Sequence, residues 1–518
     1  MILVASLVAS FGVSPHNPAW ACRPANKELV AKPRAVARLL FCTPGEAGPI
    51  RQQSPNRMEG IDMVNSTSRR NLLRALAGGA AGLVLASLNA CGAAPAPTAT
   101  TAAQAQSSPQ PSQATPAAQA GQEVTLEFWH GFNAHEVDAL NKMIDEHWTP
   151  DHPGIKIHSK GETGPDAILT AMSGGTPPDV AILWDPNSVT LWARQGAIKN
   201  LTPFVEKSQM DLSQFVPAAL AWTQYKGQTY GLPFVDFNLG FFWNKALFKE
   251  AGLDPDKAPA SIDELRTYAE KLTKKDDSGK ITQIGWLANG TDQYISLALA
   301  FGGKFYNAQS GEVTANDPKN VAALQWDLGV AKDFGLTEVS NFASGFTGEE
   351  GNNPFFLGKA AMTIDGCWQP AFIKQYAPNL DYGVAGVPPA DPAYANSSNV
   401  MTNPIVIPNA VKHPDESWEF AKWLGTDPQV SKEFSQLVAN IPQLKSVLQG
   451  YSTDPKVQVF VDLSNSPNAT AWAPLPVTSV YFDELSNAVS SVFAGQAEPQ
   501  PALDAVQQKV SAELDKIK

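Results

Sequence analysis

Val124-Thr125-Leu126-Glu127-Phe128-Trp129-His130-Gly131-Phe132-Asn133 opens the part of this chain that decides its fold. Val124 to Trp129 reads as a strand that ends in aromatics, with polar residues directly behind it. Glu136 to Trp148 then has the spacing of an amphipathic helix, Ile155 to Ser159 of a strand, Asp166 to Met172 of a helix, and Asp179 to Trp184 of a buried strand. Such alternation builds an α/β sheet covered by helices. Open sheets of that class bind ligands in the crevice beyond the carboxyl ends of their strands. The ends Phe128-Trp129-His130-Gly131 and Leu183-Trp184-Asp185-Pro186-Asn187 are therefore expected to face one crevice.

Further along, Tyr230-Gly231-Leu232-Pro233-Phe234-Val235-Asp236-Phe237-Asn238 precedes a strand from Leu239 to Asn244 and a helix from Lys245. Ala361-Met362-Thr363-Ile364-Asp365-Gly366-Cys367-Trp368 repeats the theme of a strand ending in an acid and an aromatic. Residues 123–518 are 396 in number, which suits two lobes better than one.

In the other direction, Gly92 to Gln122 is mostly Ala, Pro, Thr, Ser and Gln and carries no charge, the composition of a tether that does not fold. Before it, Arg69 and Arg70, the apolar run Leu83-Val84-Leu85-Ala86-Ser87-Leu88 and Leu88-Asn89-Ala90-Cys91 resemble a twin-arginine signal peptide that ends in a lipobox. Cleavage makes Cys91 the first residue and the site of lipidation, with two acyl signals giving a stable anchor. The competing reading is an uncleaved anchor over residues 72–90, since about 18 to 20 apolar residues span a bilayer. Residues 1–57 fit neither signal nor fold, and a start at Met58 or Met63 accounts for them, leaving 58–90 as the signal and 91–122 as lipid site and tether.

Of the four cysteines only Cys367 follows Cys91, so the mature chain has no internal disulfide, and Cys367 reads as a small buried hydrophobe. The formal net charge is −12 overall, but 10 Lys+Arg and 4 Asp+Glu fall in residues 1–91, leaving 28 against 46 and a head of about −18. So acidic a surface argues against nucleic acid and anionic lipid as partners.

The head resembles a family 1 extracellular solute-binding protein of an ATP-binding-cassette importer, of the maltose-binding type. The resemblance runs over essentially all of 123–518, carried by Phe128-Trp129-His130-Gly131, Pro178-Asp179-Val180, Gln195-Gly196-Ala197-Ile198, Tyr230-Gly231-Leu232-Pro233, Trp243-Asn244, Phe356-Leu357-Gly358-Lys359-Ala360-Ala361-Met362, Asn403-Pro404-Ile405-Val406-Ile407 and Trp418-Glu419-Phe420-Ala421-Lys422-Trp423-Leu424, in that order. It implies a two-lobed periplasmic-binding-protein-like α/β fold with a ligand cleft between the lobes. Lobe one is expected over 123–235 with about 390–440, and lobe two over 236–389 with about 441–518. Crossings are expected near 234–238, 386–402 and 440–475. It further implies sugar or oligosaccharide capture by hinge closure and delivery to the transmembrane subunits of a permease, by a monomer at the extracytoplasmic face, without cofactor or catalysis.

Position by position, the resemblance assigns Trp129, His130 and Trp184 to the lobe-one side of the cleft, Asp236 or Asn238 to the hinge acid, Trp368 behind Asp365 to lobe two, Asp292 to Tyr294 to a second lobe-two loop and Tyr481 to a late aromatic; Asp185 and Asn187 replace a differently arranged polar group. These residue types suit sugars, whose C–H faces stack on aromatics and whose hydroxyls need carboxylate and amide partners.

Trp148, Trp192, Trp326, Trp418 and Trp423 lie in helical patterns and read as core. His130, His135, His147, His152 and His158 form no metal-binding spacing, and no metal site is expected. A glycosidase using two of Asp185, Asp236 and Asp365 is the rival from another class, and a binder of peptide, polyamine or anion is the nearer alternative.

Overall fold

The computed structural model describes residues 123–287, 290–346 and 350–517, so the signal, Cys91 and the tether lie outside the described residues. The strands that position the site are, along the chain, β1 (Val124–His130), β2 (Ile155–Lys160), β3 (Val180–Ile182), β4 (Gly231–Phe237), β5 (Leu239–Asn244), β6 (Lys274–Lys275), β7 (Ile281–Leu287), β8 (Ala360–Gly366), β9 (Tyr382–Ala385), β10 (Met401–Val406) and β11 (Ile441–Pro442). Helices used below are α1 (Ala134–Met143), α2 (Pro165–Ser173), α3 (Val189–Gln195), α4 (Thr291–Ala300), α5 (Pro318–Phe334), α6 (Gln369–Tyr376), α7 (Pro414–Thr426), α8 (Pro428–Leu437) and α9 (Pro455–Ser464).

Lobe one is a six-stranded sheet in the order β11-β4-β10-β3-β1-β2. Alternation along β1 divides its side chains between two layers. Leu126 and Phe128 face a core shared with Leu140 and Met143 of α1, Phe420 and Leu424 of α7, and Val430 and Phe434 of α8. Trp129 points the other way, toward Ile168 of α2 and Val189 and Trp192 of α3. With both faces covered, β4 and β10 at the middle of the sheet are buried along nearly their whole length, Asp236, Thr402 and Asn403 included. Each large side chain so buried contributes about 1.5–3 kcal/mol. The Asp427 side chain caps α8 by accepting from the Gln429 and Val430 amides at 2.8 and 2.9 Å, with Pro428 in the first turn where its missing N–H costs nothing.

Lobe two is a five-stranded sheet, β9-β5-β8-β7-β6. Its core gathers Phe241, Phe242, Trp286, Leu324 and Phe460.

Strand direction explains how the lobes meet. β1, β2 and β3 run parallel, and β4 shares their direction because it is antiparallel to β10, itself antiparallel to β3. Phe237 therefore ends at the same edge as His130 and Ile182. In lobe two, β7 and β8 are parallel and β5 is antiparallel to β8, which pairs Leu239 with Gly366 at the carboxyl edge. Asn238 alone joins Phe237 to Leu239, so the carboxyl edges of the two sheets meet across one residue. The chain returns to lobe one between Ala385 and Met401, and leaves it again between Pro442 and the start of α9.

No helix among the described residues is long and apolar enough to cross a membrane. Trp148, Trp192 and Trp418 are buried, and Trp326 and Trp423 pack partly buried against the two cores.

Candidate functional site

On the lobe-one side, β3 runs out through Leu183 into the turn Trp184-Asp185-Pro186-Asn187 that starts α3. The Asn403 amide donates to the Trp184 carbonyl at 2.7 Å, pinning this turn to the adjacent β10. The Asp185 carboxylate accepts from the Asn187 backbone at 2.9 Å, closing the turn on itself. The Trp184 ring lies across Gly131, where a Cβ would come within 2.7 Å of it, so the residue after β1 has no room for a side chain. Burial, together with the nearby negative charge of Asp166, raises the Asp185 carboxyl above its ordinary value.

Trp129 is half-buried one step back, its ring covered by the Lys160 ammonium at 3.9 Å from the centroid. His130 corrects the sequence expectation. It is fully buried between the rings of Phe128 and Phe132, at 5.0 and 5.5 Å, and hydrogen-bonds Ser159 Oγ at 3.0 Å through Nε2. Burial lowers its pKa to about 4, so it is a neutral core residue. The strand continues through His130, and the two-residue period that turns Trp129 outward turns His130 inward.

On the lobe-two side, β8 ends at Asp365, whose oxygens accept from the Gly366 amide and the Gln369 side-chain amide, each at 2.7 Å. The Trp368 ring covers Gly366 and lies 6.3 Å from the Phe237 ring at the end of β4. Gln369 escaped the sequence reading. No local signal pointed to it, because Asp365 lies on the strand β8 and Gln369 at the start of α6, and only the turn between them brings the two side chains together. Asp292 is half-buried in the first turn of α4, and burial raises its pKa to about 6.

Tyr294 and Tyr481, both expected to line the cleft, lie in the lobe-two core. Tyr294 is 1% exposed and donates to the Asn320 carbonyl at 3.0 Å, while Tyr481 is 0% exposed and donates to the Phe305 carbonyl at 2.8 Å. Past its first turn α4 is buried on all sides, which takes Tyr294 inward.

Asp236 and Asn238 occupy the crossing and are both fully buried. Asp236 sits between Thr402 of β10 and Ile441 of β11, and neither carboxyl oxygen has a hydrogen-bond partner. Burial raises its pKa well above the carboxylate range; Thr402 opposes the shift, but its hydroxyl donates to the Val235 carbonyl. Asn238 donates to the Phe460 carbonyl and to Ser464 Oγ, both at 2.9 Å, and its carbonyl accepts from the Cys367 amide at 3.1 Å. It ties the crossing to α9 and β8, and its amide hydrogens are committed to the hinge. Cys367 is buried, its thiol pushed up to about 12 by burial, in agreement with its reading as an unreactive hydrophobe.

Asp185, Asp236 and Asp365 therefore stand in three settings: the lobe-one rim, the hinge interior and the lobe-two rim. A hydrogen bond also bridges the lobes, from Thr190 at the start of α3 to the Leu475 carbonyl at 2.7 Å. A separate cavity of about 350 Å³, lined by Leu169, Met172, Ala197 and Pro408 among others, opens at the opposite, amino edge of β3 and is unrelated to these residues. No group of acids, histidines and cysteines among the described residues is arranged to hold a metal ion.

Two α/β lobes joined by crossings, with their carboxyl edges meeting at a buried hinge, define a hinged two-lobed binding protein. Residues 133–431, more than half of the chain, match the family of bacterial extracellular solute-binding proteins, and the chain belongs to that family. A maltotriose-binding protein of Pyrococcus abyssi is 24% identical over 341 residues, 64% of this chain and 68% of the relative. The sn-glycerol-3-phosphate-binding periplasmic protein UgpB of Escherichia coli is 26% identical over 423 residues, 75% of this chain and 92% of the relative. Among solved structures, CpMnBP1 with mannobiose bound superposes with a TM-score of 0.65 at 29% identity, covering 75% of this chain and 100% of that one.

Proposed function

We propose that this protein captures a sugar or oligosaccharide between its lobes and presents the closed form to the transmembrane subunits of an ATP-binding-cassette importer. The likeness to CpMnBP1, over the whole of that mannobiose-bound protein, is the observation that carries this reading. The aromatics support it, since Trp184 stands at the lobe-one edge and Trp368 at the lobe-two edge, the two surfaces that a hinge closes on one ligand. Stacking supplies affinity with little discrimination; the polar groups beside each ring, Asp185 with Asn187 and Asp365 with Gln369, choose among hydroxyl patterns.

The head works as a monomer on the extracytoplasmic side, held by lipid on Cys91, and releases its sugar unchanged. Retention of a Cys91→Ser variant in the membrane fraction would remove the lipid anchor from this account. Calorimetric titration with mannobiose, mannotriose and maltotriose, followed by product analysis, tests the function. Saturable binding with intact sugar recovered is expected. Cleaved sugar would point instead to the glycosidase, and binding of a peptide or polyamine in place of all three sugars would replace the ligand class.

A further inference from the structure

The groups at the two rims and the hinge share a polarity that the sugar reading alone does not require. Asp185 uses one oxygen on the Asn187 backbone, and its other oxygen has no partner among the described residues. Around it the other acid is Asp166, and no lysine or arginine acts on it. Across the cleft Asp365 holds the Gln369 amide nitrogen, which fixes that side chain with its oxygen directed away from the pair. Gln369 is 5% exposed, and that oxygen is buried without a partner. The side-chain oxygens of Asn187 and Gln293 are likewise unpartnered, against the Trp129 indole N–H and the Nδ1 of His130, which faces the lobe core. The lining therefore offers acceptors and calls for a ligand rich in donors.

Positive charge is scarce. Residues 123–518 contain two arginines, Arg194 and Arg266. The first donates to the Ile517 carbonyl at 3.1 Å, and the second pairs with Asp333 and Glu270. The bidentate fork that recognises phosphate and carboxylate is committed elsewhere. His130 is buried and neutral, and Lys160 lies over the Trp129 ring.

We infer that the cleft, if it takes sugar as proposed above, accepts uncharged and ammonium-bearing sugars and refuses phosphorylated and uronate ones, with Asp185 as the residue that sets this choice. A phosphate or carboxylate brought beside Trp184 meets the free Asp185 oxygen and the charge of Asp166, with no lysine or arginine acting at Asp185, and it supplies no hydrogen to the unpartnered oxygens. Hydroxyl and ammonium groups satisfy both demands. Like-charge contact of this kind is a negative element of specificity, which works by penalising the wrong ligand. The relative that binds sn-glycerol 3-phosphate makes the distinction a real one within the family.

The test is calorimetry of the protein with mannobiose and maltotriose, each beside its C6-uronate and C6-amino counterparts, and with sn-glycerol 3-phosphate. The neutral and amino sugars should bind, and the uronate at least about tenfold more weakly, a gap of about 1.4 kcal/mol. For the wild type that gap should narrow as salt is raised from about 0.01 to 1 M, where the screening length falls from about 30 to 3 Å. Asp185→Asn should close most of the gap at low salt, read as the ratio of uronate to neutral-sugar affinity measured on that same variant, whatever the change costs the neutral sugar. Uronate binding as tight as neutral sugar, a gap indifferent to salt, or tight binding of sn-glycerol 3-phosphate would overturn the inference. Failure of every sugar, charged or not, is a different result and brings down the sugar reading itself.

Discussion

Trp368 stands where both lobes are felt at once, covering Gly366 of lobe two and lying beside Phe237 at the end of a lobe-one strand. It is half-buried, so its ring serves the rim more than the core. Trp368→Ala should weaken sugar binding about tenfold, or about 1.4 kcal/mol, the upper part of the roughly 0.5–1.5 kcal/mol that an aromatic contact contributes beyond its burial, while leaving the melting temperature of the free protein nearly unchanged. A drop of many degrees without ligand would make it a core residue. Asp327 of α5 shows what a fully interior polar group does instead. It is 2% exposed, accepts from the Trp286 indole at 2.9 Å, and burial raises its pKa to about 7. Because the folded value lies above the unfolded one of about 3.9, the stability associated with the protonated form is complete below pH 4 and is lost as the pH rises to 7, at roughly 1.4 kcal/mol per pH unit. Urea midpoints measured from pH 5 to pH 7.5 should therefore fall less for Asp327→Asn than for the wild type. Parallel curves would place the pH response elsewhere.

At the scale of elements, the end of β1 decides what the first rim presents. Its two-residue period sends Phe128 and His130 into the lobe core and Trp129 to the opposite layer, and Gly131 then clears the space that the Trp184 ring fills. Gly131→Ala should displace that ring and weaken ligand binding severalfold with lobe-one secondary structure intact, as read by titration and circular dichroism. Unchanged binding would mean that the Trp184 ring position does not matter. The α/β class, the Trp184 and Asp365 strand ends and the core role of the helical tryptophans were legible, because periodicity and polarity are local properties. The burial of Tyr294 and Tyr481 was not. Each is a polar aromatic whose fate depends on one distant partner, the Asn320 carbonyl and the Phe305 carbonyl respectively, and no local pattern announces such a partner. His130 differs: its burial follows from the period of β1 once the strand runs one residue past Trp129. Gln369 stayed hidden for the converse reason, since its significance lies in the oxygen left over after Asp365 has taken its nitrogen.

For the whole molecule, strand direction matters more than any one contact. Because β4 ends and β5 begins at the carboxyl edges of their sheets, a rotation about Asn238 moves the two rims against each other without disturbing either core. Asn238 is fastened to Phe460 and Ser464, so the crossing turns as part of lobe two, with Asp236 as the last buried residue on the lobe-one side. Moving such an equilibrium from 1:99 to 99:1 takes about 5.5 kcal/mol of differential affinity, and a micromolar ligand carries about 8.2 kcal/mol in all. Closure by a small ligand is thus energetically within reach only if both lobes touch it. Small-angle X-ray scattering of the protein before and after saturation with the tightest-binding sugar tests this most directly: the account predicts a smaller radius of gyration on binding, and full occupancy with an unchanged radius would contradict it.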